Sequence, residues 1–347
     1  MKVAVVTDTH FGVKNDSPLF LDEFLSFFEK QFFPYILENN ITTVLHLGDL
    51  LDRRKFVNFY TLAQVRDRFM SFFEKNNITL HIILGNHDTF YRNTSSINSM
   101  TELFSYYKNI HIYDEPVVVN IDGFDLNLVP WINESNSDKC IKFLEDARGS
   151  VVMGHFEING FQVVSGVKHC HGMEPSLFKK FDSVYSGHFH IKQTDGNITY
   201  LGTPYQITFS DAYDTKGFHI FDTEDASMTF IPNERKMFYV LSYDDRTEDP
   251  LKTLDPSKYK NCYVKIIVLN KTKPYTYDRF VEAIYSAQPV SVTFIEEVIE
   301  ISKEDIVDTT EDTITIINNE IDSMEEVDDK PKLKKIVQEL YMESLTL

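Results

Sequence analysis

The sequence predicts a mixed α/β (α+β) protein in which sheets pack on one another with helices outside, and three observations carry that expectation. Short aliphatic or β-branched runs recur from the N-terminus to about residue 190. Stretches with helical periodicity alternate with them through the opening third, as in an α/β domain. Beyond Pro116 the segments become strand-rich, whereas a purely parallel sheet needs a crossover helix at every step.

The elements follow in order. Residues 3–6 form a first strand that stops at Thr7-Asp8-Thr9-His10. Ser17-Pro18 then supplies an N-cap and a first-turn proline, and Leu21, Leu25, Phe28 and Phe32 continue at helical spacing to Asn39-Asn40. A second strand, 43–47, precedes Gly48-Asp49, and a second helix carries Leu62, Val65, Phe69, Phe72 and Phe73 up to Asn76-Asn77. Residues 80–84 lead into Gly85-Asn86-His87-Asp88, 151–153 into Gly154-His155, and 184–186 into Gly187-His188-Phe189-His190. Further strands are expected at 117–120, 124–128, 199–201 and 217–221. His46 and His81 fall inside strand runs and are expected in the core.

At Ile231-Pro232-Asn233 this pattern ends and a small β/α unit begins, with strands at 238–242, 263–269 and 290–299 and a helix at 277–286. The expected domains are 1–231, 232–300 and an acidic linker with paired helices at 301–347. From Glu300 onward there are 14 acidic and 5 basic residues, with apolar stripes at Ile314, Ile317, Ile321 and Met324 and at Leu333, Ile336, Val337, Leu340 and Tyr341. Two short amphipathic helices bury little by themselves, so this tail reads as a docking element.

Composition sets bounds. A chain of 347 residues accommodates two domains and a small module. With 34 basic against 53 acidic residues the net charge is −19, which excludes gripping a polyanion by bulk electrostatics alone. No apolar run approaches the roughly 18 residues of a membrane span, and the opening apolar stretch is too short for a signal peptide. Three widely spaced cysteines suggest neither a disulfide framework nor a thiolate metal site. We therefore expect a soluble protein of a reducing cytoplasm.

The five strand ends carry Asp8, His10, Asp49, Asn86, His155, His188 and His190, oxygen and imidazole ligands suited to manganese, iron, zinc or magnesium. Singly, a histidine after a strand is more often a capping or core residue, and Gly-Asp or Gly-Asn is a common turn. Jointly, if the strand ends converge, seven ligands exceed one ion and suit two ions sharing a carboxylate, for which Asp49 is the natural choice. That chemistry is phosphoester hydrolysis.

The ordered set Asp8-x-His10, Gly48-Asp49-x-x-Asp52, Gly85-Asn86-His87-Asp88, Gly154-His155 and Gly187-His188-x-His190 resembles the calcineurin-like metallophosphoesterase superfamily. Within it, Gly-His-Phe-Glu-Ile-Asn-Gly at 154–160, Leu-Gly-Thr-Pro-Tyr at 201–205, the small second unit and the helical tail resemble the SbcD-type DNA repair nucleases, including those of T-even phages. The resemblance implies a two-layer β sandwich flanked by helices, a DNA-recognising cap, and two manganese ions, with magnesium or iron as alternatives. One ion would be held by Asp8, His10, Asp49 and His190, the other by Asp49, Asn86, His155 and His188. It further implies that His87 orients the phosphate and protonates the leaving oxygen, with Asp88 steering its ring. Asp52 stands where some relatives carry histidine and reads as a hydrogen-bond acceptor behind the ligands. Arg53 or Arg54 would contact phosphate, a surface role being equally open, and His171 would lie in a loop near substrate.

The implied activity is 3′-to-5′ exonuclease on duplex DNA ends and endonuclease on single strands. The chain would act as a homodimer, through helices around 58–73 and 101–107, docked on an SbcC-like coiled-coil ATPase. If phage-encoded, it would work in the host cytoplasm. Two alternatives stand beside this: a metal-dependent protein phosphatase or small phosphodiesterase, suggested by Asp52-Arg53 after Gly-Asp, and a subunit that mainly scaffolds its ATPase.

Overall fold

The computed structural model describes residues 1–296, except 165, 247 and 248, together with Ile321, Lys330, Leu333, Lys334 and Val337. The chain forms two compact units, Met1–Phe294 and Ile295–Leu347. The expected linker and paired helices of the tail fall in the second unit and, those five residues apart, lie outside the described residues.

In the first unit the strands are β1 (Lys2–Val6), β2 (Thr43–His46), β3 (Thr79–Ile83), β4 (Ile110–Tyr113), β5 (Val117–Ile121) and β6 (Phe124–Val129). Then follow β7 (Val151–Gly154), β8 (Gln162–Val164), β9 (Val167–Lys168), β10 (Ser183–Ser186), β11 (Gln193–Asp195) and β12 (Ile198–Tyr200). The series closes with β13 (Gly217–Asp222), β14 (Ser227–Pro232), β15 (Phe238–Asp244), β16 (Tyr263–Asn270) and β17 (Ser291–Glu296). One six-stranded sheet has the order β14-β13-β1-β2-β3-β4, the other β11-β12-β10-β7-β6-β5. The first is parallel from β1 to β4 and antiparallel through β13 and β14, and the second is parallel at its centre and antiparallel at both edges.

Side-chain alternation builds the two layers. Val3, Val5, Leu45, Leu47 and Ile83 face Leu126, Leu128, Val151 and Met153 in the space between the sheets. The opposite set, Ala4, Val6, Val44, Leu80 and Ile82, packs outward on a phenylalanine-rich helical layer that includes Phe24, Phe28, Phe32, Phe69 and Phe73. On the outside of the second sheet, Val152, Val184 and Tyr200 meet Cys140, Leu144 and Phe178. Burial on both faces explains why the central strands read as continuous apolar runs.

The first helical layer runs from Pro18–Phe27 through a wider π turn at Phe28–Phe32 into Phe33–Glu38. The widened turn immediately precedes Pro34, whose ring lacks an N–H and would press on the carbonyl four residues back. Ser17 precedes the helix as expected, but its side chain makes no cap hydrogen bond. The second helical stretch begins at Phe59, where Asn58 accepts from the Tyr60 N–H, and ends at Lys75.

Strands β15, β16 and β17 form a separate three-stranded sheet covered by the helix Pro274–Ser286, with its own core of Tyr243, Val264, Ile266, Tyr277, Phe280 and Ile284. Several features depart from the sequence reading, which named no strand at β4, β11 or β14. A two-stranded hairpin of β8 and β9 rises after β7. His81 is half-buried rather than core, stacked on His111 and Tyr113 of the neighbouring strand. The cysteines are free, Cys140 and Cys262 buried and Cys170 exposed.

Candidate metal centre

The five ligand-bearing strand ends do not lie on one sheet. β1, β2 and β3 belong to the first, β7 and β10 to the second, and the site is the seam where the two rims meet. Glycines allow that approach: a Cβ on Gly48 would lie 2.6 Å from His155 Nδ1, and one on Gly187 would lie 2.1 Å from Thr7 Oγ1. Asp8, His10, Asp49 and His188 all adopt positive φ, between 43° and 86°. Such strain in non-glycine residues is tolerated where the surrounding structure fixes it, and here it turns each side chain off its strand into the seam.

All seven proposed ligands converge. Asp8, His10, Asp49, Asn86 and His155 are buried, and Asp8, His10 and His190 offer ligand atoms within 4.8 Å of one another, as do Asp49, His155 and His188. Asp49 stands between the halves, its Oδ2 3.4 Å from His155 Nε2 and 3.7 Å from His10 Nε2. Asn86 Oδ1 lies 3.0 Å from His155 Nε2 and 2.9 Å from His188 Nδ1.

The hydrogen-bond logic tests whether cations fit. His155 Nδ1 lies 2.7 Å from the Leu47 carbonyl, which can only accept. The neutral ring must therefore carry its proton there and aim an Nε2 lone pair at Asn86 Oδ1 and Asp49 Oδ2, which are themselves lone-pair donors. His10 Nε2 and His190 Nε2 likewise face each other at 3.0 Å. Converging lone pairs in a buried pocket suit divalent cations, and the oxygen-and-imidazole set suits first-row metals or magnesium. In the metal-free chain protons take the place of a cation. Burial opposes protonation of His10 and His155, yet Asp52, Asp49 and Asp8 for the first, and Asp49 and Asp8 for the second, push both up to about 9. Burial, then His155, brings His188 down to about 4.

His87 stands at the edge of the donor set, with its N–H bonded to Asp49 Oδ1 at 2.7 Å and its Nδ1 on the Asp52 carbonyl. It also lies near enough to His10 and Asp49 to count geometrically with them. Asp88 differs from expectation, because its carboxylate accepts from the backbone N–H groups of Asp49, Leu50 and Gly85 at 2.8 to 3.1 Å. It clamps the β2 and β3 turns together, while the carbonyl of Asp52 orients the His87 ring. The Asp52 carboxylate lies 3.4 Å from His10 Nδ1.

The three candidate substrate residues separate. Arg53 is committed to the loop after β1, on Asp16 at 3.0 Å and Asn15 at 2.6 Å. His171 is exposed, its ring edge-on to His169 at 6.2 Å, and it joins no cluster of metal-ligating atoms among the described residues. Arg54 lies over the ring of Trp131 at 5.2 Å. Sequence reasoning also passed over Lys216, whose buried ammonium holds the His190 carbonyl at 2.8 Å, and Tyr205, whose hydroxyl donates to the Thr9 carbonyl. Lys216 stands in no motif, and Tyr205, although it closes the Leu-Gly-Thr-Pro-Tyr segment, carries no local sign that it reaches the turn after β1.

Two packed sheets with this donor set at their shared rim define a metal-dependent phosphoesterase, and the model of the calcineurin-like phosphoesterase family matches residues 1–192. The chain belongs to that family, whose members use divalent metals. It is similar to Exonuclease subunit 1 of Enterobacteria phage T4, with 36% identity over 281 residues, or 80% of this chain and 79% of the relative. Among solved structures it is similar to an archaeal phosphodiesterase, at 16% identity and a TM-score of 0.31 over 67% of this chain and 99% of that one. Another is the Pseudomonas putida nuclease MPE, at 16% identity and 0.34 over 66% and 86%. No described helix is long and apolar enough to cross a membrane.

Proposed function

We propose that this chain is a DNA nuclease, and the observation that carries the reading is the seam of seven buried or half-buried ligands divided by Asp49. Asp8, His10, Asp49 and His190 would hold one cation and Asp49, Asn86, His155 and His188 the other, with manganese the expected metal. Cations held there polarise a phosphoryl oxygen and lower the pKa of a bound water. The protein's own part begins with His87. Its Nδ1 donates to the Asp52 carbonyl, so any proton exchanged with substrate passes through Nε2, the position from which a leaving oxygen would be protonated. Asp88 keeps the β2 and β3 turns in register, so that Asp49 and Asn86 would face the same cation.

We take the substrate to be DNA, cleaved 3′ to 5′ from duplex ends and internally in single strands; the likeness to the phage exonuclease subunit supports the exonuclease part of that reading. The word subunit also supports a partner, proposed as an SbcC-like coiled-coil ATPase bound by the tail. A homodimer is supported by exposed Phe56, Phe59, Tyr60 and Tyr106 on and beside the helices after β2 and before β4. We take 1–231 as the catalytic domain, 232–300 as the DNA-recognition cap and 301–347 as the partner-binding segment.

The test compares manganese-dependent turnover of linear duplex DNA, single-stranded DNA and a phosphopeptide, alongside elemental analysis of bound metal. Metal-dependent DNA cleavage with about two ions per chain is expected. A strong phosphopeptide preference would move the assignment to a phosphatase.

A further inference from the structure

We propose that Arg54, Trp131 and Arg92 form a second phosphate subsite beside the metal centre, which takes the phosphodiester adjoining the one being cut. The inference rests on the nuclease reading and deepens it, because such a subsite distinguishes a polynucleotide from an isolated phosphoester.

The three residues come from three loops on the same rim as His87. Arg54 is two residues beyond Asp52, whose carbonyl receives the His87 ring. Arg92 follows the Gly85-Asn86-His87-Asp88 turn, and Trp131 follows β6, where its N–H is bonded to the carbonyl of Leu84 at 2.7 Å. The loops are stitched together: the Asp88 carboxylate accepts from the Leu50 N–H, and the Ser135 N–H donates to the Asn93 carbonyl. The Arg54 guanidinium lies 5.2 Å from the centre of the indole ring, within cation–π range. There its Nε and Nη1 are shielded from solvent, and neither has a hydrogen-bond partner among the described residues.

A buried donor of an always-charged group is costly to leave unmade. Here the unmet donors stand within electrostatic reach of Asp49, of the Arg92 cation and of Asp88. Arg53, its neighbour, illustrates the alternative, since its guanidinium is spent on Asp16 and Asn15. What satisfies a planar fork of N–H donors next to a second arginine is an anion with paired oxygens, and a backbone phosphate has that geometry. In an otherwise acidic chain such a site also supplies the local positive charge that DNA needs and bulk composition lacks.

Trp131 is the single tryptophan, so its emission reports on the subsite directly. The intact chain, stripped of divalent ions with chelator, is titrated with a short single-stranded DNA oligonucleotide, with sodium sulfate as competitor. The wild type should show a saturable emission change, Arg54→Met should bind about tenfold or more weakly, and Arg54→Lys should fall between, having charge without the fork. With manganese restored, the loss of kcat/KM in Arg54→Met on the oligonucleotide should exceed its loss on bis(4-nitrophenyl) phosphate by about tenfold. Undiminished oligonucleotide binding by Arg54→Met, or by Arg54→Lys should the first variant not fold, overturns the subsite. Equal losses on both substrates also overturn it, because they would place Arg54 on the scissile phosphate or in the fold. Should the wild type cleave neither substrate, the nuclease reading fails, while the metal-free titration still decides whether the phosphate site exists.

Discussion

Two buried carboxylates, Asp49 at the seam of the sheets and Asp245 in the three-stranded unit, are almost equally shielded from water and have opposite surroundings. Asp245 accepts from the Thr272 N–H at 3.0 Å, the Thr272 hydroxyl at 2.7 Å, the Lys273 N–H at 2.7 Å and the Tyr243 hydroxyl at 3.1 Å. Every neighbour is a donor, so the protein itself accounts for that charge, and the carboxylate ties the end of β15 to the start of the covering helix. Asp49 has one backbone donor, from His87, and otherwise faces the Nε2 atoms of His155 at 3.4 Å and His10 at 3.7 Å, longer than charge-assisted hydrogen bonds. Burial alone does not mark a functional residue. A buried charge whose hydrogen-bond partners are all in place is architecture, and one whose ring neighbours stand at 3.4 Å and beyond has room for a ligand.

The widest separation between the two is expected from a paired exchange. Asp49→Asn should remove most divalent-metal binding and lower phosphodiester turnover by about a thousandfold or more, the scale of a lost cationic stabilisation of several kcal/mol. Asp245→Asn should keep turnover and metal content near wild type while lowering the melting temperature. Elemental analysis, a cleavage assay and calorimetry on the two variants read both sides, and retained activity in Asp49→Asn would erase the contrast. Next in size, His87→Ala should lower kcat by about a hundredfold to ten-thousandfold with bound metal unchanged, since its ring acts on a proton rather than on the pocket's charge. Loss of metal together with activity would make His87 a ligand, as its closeness to His10 and Asp49 permits.

The sequence displayed the site better than it displayed the surroundings, and the reason is range. Each candidate ligand follows a β-branched run, usually through a glycine, and that grammar is local, so the seven could be picked out in the sequence, and the structure brings them together. Which sheet each strand joins depends on pairing between distant segments, so a rim split between two sheets could not be read from any window. The same limit applies to Asp88, whose partners are the backbone of Asp49 and Leu50, and to Arg53, held by Asn15 and Asp16 across the loop after β1. Arg54 and Trp131 lie far apart in the chain and become a pair only once β2 and β6 are placed in different sheets. The three-stranded unit was legible in outline because its strands and helix follow one another closely, with boundaries displaced by only a few residues.

A buried charge behind the candidate ligand His190 sharpens the comparison at smaller scale. Lys216 has 5% of its surface exposed, and its ammonium contacts Asp211 at 2.7 Å, Asp214 at 3.2 Å and the His190 carbonyl. All partners are present, as around Asp245. Lys216→Met would leave two carboxylates uncompensated and should cost about 3 kcal/mol of stability, read by chemical denaturation of the metal-free chain. A variant as stable as wild type would show that the pair merely offsets its own desolvation.

The smallest effect is one of acidity and separates titration at the seam from titration elsewhere. Burial, then the neighbouring His111, brings His81 down to about 4, and its Nδ1 meets the Tyr113 hydroxyl at 2.8 Å. The folded chain thus keeps this ring neutral below the ordinary histidine value of about 6.5, where the unfolded chain takes up a proton. Its contribution is complete above about pH 6.5 and is lost as pH falls toward 4, with a slope of at most about 1.4 kcal/mol per pH unit. His81→Phe keeps the flat stack on Tyr113 and removes the proton, so its unfolding free energy should fall less steeply than wild type over that window, measured in chelator. Identical slopes would assign the acid sensitivity to the ligand histidines and carboxylates alone, and His81 would then be a packing residue indifferent to its own charge.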